Sequence, residues 1–196
     1  METVVKAPPI TVEQFLGFEP PPGFRAELLD GEIVVSPEPK PIHQRVVKNI
    51  FQVLDPALSD EYEVNMRTNF RFEEEHYMPS PDVFVVTLDE WEAAMEENRY
   101  PLGAPVLVVE VISPANTEER VRQKTRLYLE RGAAQVWNVY PWERKVWVFE
   151  QSGLSAASSP AGVELDERHC IVLPPPLPAM AVPIAPFFRL RRDRKL

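Results

Sequence analysis

Val106-Leu107-Val108-Val109-Glu110-Val111-Ile112 is the stretch of this chain that decides its fold. Apolar, mostly β-branched residues surround one carboxylate, and prolines lie on both sides of the run. Such a run is typical of a strand buried inside a sheet, where carboxylates are rare unless something pairs with them. An unpaired carboxylate there would cost several kcal/mol, so Glu110 must meet a metal cation, a basic side chain or a proton.

The helix predicted after this strand brings a lysine toward Glu110. Lys124 shares a helix face with Val121, Thr125 and Tyr128, and this face is expected to pack on the sheet. An inward lysine beside a buried glutamate indicates an ion pair. The alternative is that the aliphatic stem lies on the core while the ammonium reaches water past the helix edge.

A second carboxylate stands at the start of another apolar run. Asp82 follows Pro81 and precedes Val83-Phe84-Val85-Val86, so it is placed to share a metal ion with Glu110. Pro-Asp also occurs at ordinary turns, and Asp82 alone therefore indicates little. Two acids and Lys124 together are what phosphodiester hydrolysis needs, since carboxylates hold Mg²⁺, the metal activates water and an ammonium stabilises charge.

Local patterns predict the elements of the first part of the chain. Thr11 is an expected helix N-cap, Asp30-Gly31 is a hairpin turn signal, and apolar spacings of 3 and 4 predict an amphipathic helix. The predicted elements are a helix over 11–16, hairpin strands over 24–29 and 32–35, a helix over 43–58, and a strand over 62–72 that ends at the acidic loop 73–75.

The second part of the chain alternates strands and helices. Alternation along a strand places Glu110 on the face of Val108 and Ile112, with Val109 and Val111 on the opposite face. The further predictions are a strand over 81–86, a short helix and loop over 88–104 that could cover a site, a helix opened by a capping box at 116–119 and ending at Gly132, hairpin strands over 135–140 and 145–150, and a turn-rich region over 152–183.

Length and composition indicate one domain. The chain has 196 residues, of which 44% are hydrophobic, enough for one well-packed core. We divide it into an N-terminal segment 1–22, a core 23–150, an irregular part 151–188 and a basic tail 189–196. No signal peptide or membrane span is evident, so we expect a cytoplasmic protein. One cysteine and three histidines indicate that any metal is a hard ion bound by oxygen.

Charge argues against nonspecific coating of nucleic acid. The formal net charge is −9, and attraction to phosphate comes from clustered Lys and Arg. A local basic patch such as the tail 189–196 can reverse this field, although the simpler interpretation of the tail is a solvated chain end. Trp137, Trp142 and Trp147 are interpreted as core or dimer surface rather than as a platform for stacked bases.

The sequence resembles the PD-(D/E)XK nuclease superfamily in Pro81-Asp82, the Glu110 strand and the helix that bears Lys124. It is similar more closely to the bacterial Uma-type restriction endonucleases. The motifs that carry this likeness lie within residues 12–150 and are Phe24-Arg25-Ala26-Glu27-Leu28-Leu29-Asp30-Gly31-Glu32, His43-Gln44-Arg45, Val109-Glu110-Val111-Ile112-Ser113-Pro114 and Gly132-Ala133-Ala134-Gln135-Val136-Trp137-Asn138-Val139-Tyr140-Pro141.

The resemblance implies an α/β protein of mixed α+β character, with a sheet flanked by helices in a restriction-endonuclease-like core and an N-terminal antiparallel hairpin. It also implies a Mg²⁺ or Mn²⁺ site on Asp82 and Glu110, DNA as substrate, and a homodimer. The superfamily often has a lysine at the position of Ile112. In the Uma-type branch the next helix supplies this lysine, which maps to Lys124.

The resemblance also suggests secondary site residues. Glu27 would add a third carboxylate, or else it is an exposed hairpin residue. His43 would support the ligands or transfer protons, whereas a lone histidine at a helix start is more often a polar cap or surface residue. Ser113 and Gln135 are expected to flank the site and bind ligands or substrate, unless Ser113 only caps the turn at Pro114.

Three functions come into question for a protein with these residues. The leading hypothesis is a metal-dependent endonuclease acting on DNA, with Asp82, Glu110 and Lys124 as catalytic residues. The second is an inactive interaction module that keeps the nuclease fold, with Glu110 and Lys124 as a structural ion pair. A glycosidase with paired carboxylates finds no support because it gives Lys124 no role.

Overall fold

Four α-helices and ten strands form within residues 8–58, 61–72, 76–151 and 160–190, which the computed structural model describes. In chain order they are α1 (Val12–Leu16), β1 (Phe24–Leu29), β2 (Glu32–Pro37), α2 (Pro41–Leu58), β3 (Tyr62–Asn65), β4 (Val83–Thr87), α3 (Leu88–Glu96), β5 (Leu107–Val111), α4 (Glu118–Glu130), β6 (Gln135–Tyr140), β7 (Lys145–Glu150), β8 (Gly162–Asp166), β9 (Cys170–Val172) and β10 (Ala181–Pro183), followed by a 3-10 helix (Ala185–Phe188).

A six-stranded mixed sheet organises the molecule. Its strand order is β3-β4-β5-β6-β7-β8, and two further antiparallel hairpins, β1–β2 and β9–β10, lie outside it. Only β5 and β6 run parallel among these six strands, because α4 carries the chain back across the sheet between them. The expected mixed sheet flanked by helices and the expected N-terminal hairpin are both confirmed.

The two faces of β5 enter different hydrophobic cores. Val109 and Val111 pack in the core that also contains residues of α2, whereas Val108 packs in the core that contains residues of α4. Strand alternation therefore directs Glu110 toward α4, as its sequence pattern predicts. The same geometry puts Trp137, which is fully buried, on the α2 face as a core residue.

Several local signals form the predicted elements. Thr11 caps α1 by accepting from the backbone N–H of Gln14, whose side chain reaches back to complete a capping box. Asp30 and Gly31 both have positive φ, 52° and 71°, as a two-residue hairpin turn requires. The helix predicted over 43–58 begins two residues earlier, at Pro41, because proline suits the first turn of a helix.

The strand predicted over 62–72 is shorter than expected. It ends at Asn65, and Arg67 adopts a φ of 57°, which breaks the extended path. Phe70 and Phe72 are nevertheless buried in the core on the α4 side, so the alternation that suggested a strand reflects burial without continued pairing. The acidic loop 73–75 lies outside the described residues.

Two expectations about the helices also need correction. The region 88–104 does not cover the candidate site: α3 packs at the sheet edge, with Trp91 5.7 Å from Phe84 between ring centroids. The N-cap of α4 is Thr117, whose hydroxyl accepts from the backbone N–H of Arg120. Asn116 was the expected cap, but its side chain turns back to Ser113 instead.

The C-terminal part is more ordered than its turn-rich sequence suggests. It contributes β8 to the edge of the sheet and the β9–β10 hairpin to the core on the α2 side. Residues 1–7, 152–159 and most of the basic tail, 191–196, lie outside the described part of the chain. Among the helices that are described, none combines the length and apolarity needed to cross a bilayer.

Candidate active site

The pairing of β4 with β5 brings the two predicted carboxylates together. Val83 is the partner of Val109, so Asp82 stands opposite Glu110 at the next position of the ladder. The backbone N–H of Asp82 donates to the Val109 carbonyl at 3.1 Å, and the N–H of Val111 donates to Asp82 Oδ2 at 2.9 Å. Opposite residues of antiparallel strands share a face, so both acids point to the α4 side.

Glu110 and Lys124 form a buried ion pair. Lys124 Nζ lies 2.7 Å from Glu110 Oε1 and donates to Glu27 Oε1 at 2.8 Å, so the ammonium lies between two carboxylates. The Tyr128 hydroxyl donates to Glu110 Oε1 at 3.1 Å, and the backbone N–H of Ser80 donates to Glu27 at 2.7 Å. Lys124 is only 9% exposed, which rules out the alternative in which its ammonium reaches water.

Asp82 has a separate set of basic partners. Arg25 Nη1 lies 3.2 Å from Asp82 Oδ1, and His43 Nε2 lies 3.1 Å from Oδ2. Asp82 is 1% exposed and His43 is 5% exposed. The structure thus brings both secondary candidates with ionisable side chains, Glu27 and His43, into the cluster that contains Asp82, Glu110 and Lys124.

Burial and charge shift the pKa values of these groups in opposite directions. Burial raises the pKa of Glu110 to about 7 despite the attraction of Lys124, and the charges of Asp82 and Glu27 add to this rise. Burial also acts to raise the pKa of Asp82, but His43 and then Arg25 lower it to about 2. Burial opposes the charge of Lys124, yet Glu110 and Glu27 raise its pKa. The charge of Glu110 is therefore only partly compensated, whereas that of Asp82 is well stabilised, and the deficit at Glu110 favours an added cation.

The raised pKa of Glu110 predicts a pH dependence of stability in the metal-free protein. A carboxyl whose pKa rises from 4.5 in the unfolded chain to about 7 on folding stabilises the fold below pH 4.5, and this contribution is lost as the pH rises through 7. We expect the free energy of unfolding to fall by up to about 3 kcal/mol between about pH 5 and about pH 8. Urea unfolding in a chelator measures it, and Glu110→Gln should remove most of the difference. An equally steep fall in that variant would contradict the assignment.

The donor set fits a hard divalent cation. Among the described residues, no group of three His, Cys, Asp or Glu side chains is placed to hold a metal ion. Two carboxylates, Asp82 and Glu110, do stand side by side. Mg²⁺ is commonly held by one or two carboxylates, with water and substrate phosphate as the other ligands, whereas Ca²⁺ and structural Zn²⁺ need larger protein cages. The pair therefore suits Mg²⁺ or Mn²⁺.

Two other sequence candidates lie differently. Gln135 is not brought to the cluster: it starts β6 on the Trp137 side, donates to the Val172 carbonyl and accepts from the Trp137 indole N–H. The expectation that Gln135 flanks the site is therefore not met. Ser113 lies in the turn after β5, where its backbone N–H and hydroxyl both donate to Asn116 Oδ1 at 2.8 and 2.9 Å. It organises the turn, as the alternative interpretation predicted.

Sequence reasoning did not select three residues that the structure adds to the site. Arg25 precedes Glu27 by two positions on β1, so both side chains lie on one face of the strand. This spacing was the signal by which Arg25 could have been found. Tyr128 was recognised only as a member of the Lys124 helix face. Asn138 had no local signal, since its proximity to Glu110 depends on the register of β5 with β6.

Unpaired polar atoms concentrate around this cluster. Arg25 Nε, His43 Nδ1 and Asn138 Oδ1 are buried and have no hydrogen-bond partner within the described part of the chain. Folded proteins satisfy nearly all buried polar atoms, so such atoms call for an explanation. Their grouping around two carboxylates and a lysine indicates a site built to meet a ligand.

A groove leads away from the cluster along the protein surface. It has a volume of about 510 Å³, and it shares Arg25, Ile112 and Asn116 with the small cavity that the acids line. Trp142 stands on its wall and is 68% exposed. Lys40 and His43 also line it. Trp142 is therefore not a core residue of this chain, in contrast to Trp137.

Comparison with known proteins bears on the family and the fold. The family Uma2, described as putative restriction endonuclease, matches residues 12–185. The solved structure of a putative nuclease from Anabaena variabilis is similar in fold, with a TM-score of 0.74 and 20% sequence identity over 92% of this chain and 98% of that one. No curated protein matches the chain.

Proposed function

We propose, since this chain belongs to the Uma2 family of putative restriction endonucleases, that it is a metal-dependent endonuclease that hydrolyses phosphodiester bonds in DNA. One observation carries the proposal: Asp82 and Glu110 stand side by side at the ends of β4 and β5, with Lys124 directly against Glu110. Carboxylate oxygens beside an ammonium suit both a hard cation and a phosphate. Membership of the family alone leaves the metal and the kind of nucleic acid open.

The residues of the cluster have distinct roles in this proposal. Asp82 and Glu110 would hold Mg²⁺ or Mn²⁺, which when bound supplies Lewis-acid activation of water and neutralises charge on the phosphate. Lys124 donates to Glu110 and Glu27. If a cation took over the compensation of these carboxylates, the ammonium would be available to negative charge on the phosphate oxygens. Arg25 and His43 hold the Asp82 carboxylate in place.

We also propose a homodimer as the working form of the protein.

The groove beside the cluster is the proposed path of the DNA strand. The groove carries Lys40 and the exposed ring of Trp142 next to the acids. Glu38 lines the same groove, so on a chain whose net charge is −9 the attraction to nucleic acid would come from the Trp142 ring and a bound cation more than from basic side chains.

Trp142→Ala is expected to weaken binding of the substrate with little change in kcat. Stacking of a base on an aromatic ring contributes about 1–3 kcal/mol, so KM should rise by roughly 5-fold or more. Steady-state cleavage of a labelled oligonucleotide measures both constants. Trp142→Phe is the matched control, because it keeps an aromatic face and should retain most of the affinity. An unchanged KM in the alanine variant would remove Trp142 from the path of the DNA.

Metal binding tests the proposed function without a choice of substrate. Calorimetric titration with Mn²⁺ should show binding to the wild-type protein and none to Glu110→Gln. Glu164→Gln is the matched control, since Glu164 also pairs with a lysine, Lys145, at 2.7 Å but lies exposed on β8. Binding that survives in the Glu110 variant would contradict the proposed ligand set. Cleavage assays on DNA and RNA oligonucleotides then distinguish the substrates.

The second candidate function is an interaction module with the nuclease fold and no turnover. Its supporting observation is that Lys124 bridges Glu110 and Glu27, so the protein itself supplies a cation to both carboxylates. A buried ion pair of this kind can be purely structural. A wild-type protein that binds no Mn²⁺, with or without an oligonucleotide present, would favour this function over the endonuclease.

A further inference from the structure

Asn138 is a buried amide at the centre of the candidate site. It lies on β6, is 2% exposed, and is the register partner of Glu110 on the neighbouring parallel strand. Its neighbour two positions earlier, Val136, packs in the core on the α4 side, so Asn138 also faces α4. Its side chain lines the same small cavity as Glu110 and Lys124. An apolar residue would be the ordinary choice at such a position.

The orientation of this amide is fixed by its neighbours on α4. Thr125 Oγ1 donates its only proton to the Val121 carbonyl at 2.9 Å. The same oxygen can therefore only accept from Asn138, and the amide nitrogen Nδ2 donates to it at 2.9 Å. If the amide were flipped, Thr125 could donate to Asn138 only by giving up its hydrogen bond to the Val121 carbonyl, so only the present orientation keeps both bonds. Asn138 Oδ1 must therefore point away from Thr125.

The remaining atom, Asn138 Oδ1, is a buried acceptor that no described residue satisfies. Ionised carboxylates cannot serve it, because they only accept, and no donor of the described residues lies within hydrogen-bonding distance of it. The cavity beside it has a volume of about 40 Å³, and a water molecule needs roughly 10–15 Å³ by this measure. A water molecule in this cavity is a donor of the required size and chemistry.

We propose that Asn138 Oδ1 accepts a hydrogen bond from the water molecule that attacks the phosphate, and so acts as a positioning residue. The inference rests on the proposed endonuclease function. A water that donates one proton to Asn138 and the other to a carboxylate of the site has its lone pairs directed elsewhere, toward an approaching phosphorus. Orientation of this kind raises the rate of attack without adding affinity for the substrate.

The reaction balances with Asn138 unchanged. The water oxygen forms a bond to phosphorus, and the bond from phosphorus to a sugar oxygen breaks with its electron pair on that oxygen. One proton of the attacking water passes to solvent, and the leaving sugar oxygen takes one proton from solvent. Asn138 accepts a hydrogen bond before attack and neither gains nor loses a proton.

Asn138→Leu tests the role of the amide, because leucine has a similar size and no polar atom. We expect kcat for DNA cleavage with Mn²⁺ to fall by about 10²-fold, with KM and calorimetric Mn²⁺ affinity unchanged. Thermal stability should change little, since the variant removes one buried hydrogen bond, to Thr125, together with one unsatisfied buried acceptor.

Asn49 supplies the matched control for a buried amide with a structural role. Its Nδ2 donates to the carbonyls of Phe187 and Arg189, both at 2.9 Å. Asn49→Leu should therefore lower the melting temperature and leave kcat unchanged, the opposite of the result expected at Asn138.

Two outcomes overturn the inference separately from the proposed function. In the first, the wild-type protein binds Mn²⁺ and cleaves DNA, but Asn138→Leu keeps kcat within about 3-fold, against the 10²-fold expected from loss of a positioned group. In the second, a crystal structure shows Asn138 Oδ1 bonded to a protein donor instead of a water oxygen. A wild-type protein that neither binds Mn²⁺ nor cleaves nucleic acid overturns both conclusions.

Discussion

Replacement of Lys124 by methionine is expected to lower the free energy of unfolding by about 3–5 kcal/mol in the absence of metal. The variant keeps the volume of the stem and removes the ammonium that lies 2.7 Å from Glu110 and 2.8 Å from Glu27. Two buried carboxylates would then lack their shared cation, and one or both must take up a proton to remain inside. Urea unfolding in a chelator at about pH 8, followed by fluorescence, measures the loss.

The exposed lysine Lys145 provides a matched control. It lies 2.7 Å from Glu164, the same separation as between Lys124 and Glu110, but both side chains are more than a third exposed. Water and salt screen such a pair, so Lys145→Met should leave stability nearly unchanged. Addition of Glu110→Gln to the Lys124 variant should recover part of its loss, because one of the unpaired charges is removed. Equal effects at the two lysines would show that burial does not govern the Lys124 cluster.

The centre of the site was predictable because its signals are local. A carboxylate inside an apolar run is visible in the sequence, and a lysine on the inward face of the next helix follows from helical spacing. The structure places Glu110 and Lys124 in contact, as these patterns indicate. Prediction of Asp82 as a site residue required one more assumption, namely that its strand pairs with the strand that carries Glu110. The pairing of β4 with β5 satisfies it.

Other features were not predictable because they depend on tertiary register. Asn138 reaches the site only through the alignment of β5 with β6, and Gln135 leaves it for the same reason, three residues earlier on the same strand. The strand predicted over 62–72 stops at Asn65 although alternation continues, because buried aromatic residues produce the same pattern in an irregular segment. The strands β8, β9 and β10 are short and lie in a turn-rich region. Their sequences carry little periodicity.

The cluster joins segments that are far apart in the sequence. Lys124 and Glu27 are 97 residues apart, and Arg25 and Asp82 are 57 residues apart. The β1–β2 hairpin, which lies outside the main sheet, thus supplies Arg25 to Asp82 and Glu27 to Lys124. If these ion pairs were purely structural, their role would be to hold the hairpin against the rest of the fold. That role does not explain why unpaired polar atoms accumulate at the same place.

Asp82→Asn is expected to lower DNA cleavage by about 10³-fold or more in kcat/KM while the fold is retained. The change keeps the shape of the side chain and removes the charge that a divalent cation would need. Arg25 and His43 would keep a neutral hydrogen-bond acceptor, and Arg25 is part-exposed, with 28% of its side chain accessible. Cleavage assays with Mg²⁺ and with Mn²⁺, together with circular dichroism to check folding, measure the effect.

Asp166 is the control that separates a metal ligand from an aspartate held in ion pairs. It also contacts one arginine and one histidine, Arg168 at 2.6 Å and His169 at 2.7 Å, but it lies on β8 with 28% of its side chain accessible. Asp166→Asn should leave cleavage unchanged. Its partners stay solvated, and it has no carboxylate opposite it in the way that Asp82 has Glu110. If both variants lost activity equally, the loss at Asp82 would reflect disruption of an ion pair. If only Asp82→Asn loses activity, the charge beside Glu110 is required for the chemistry itself.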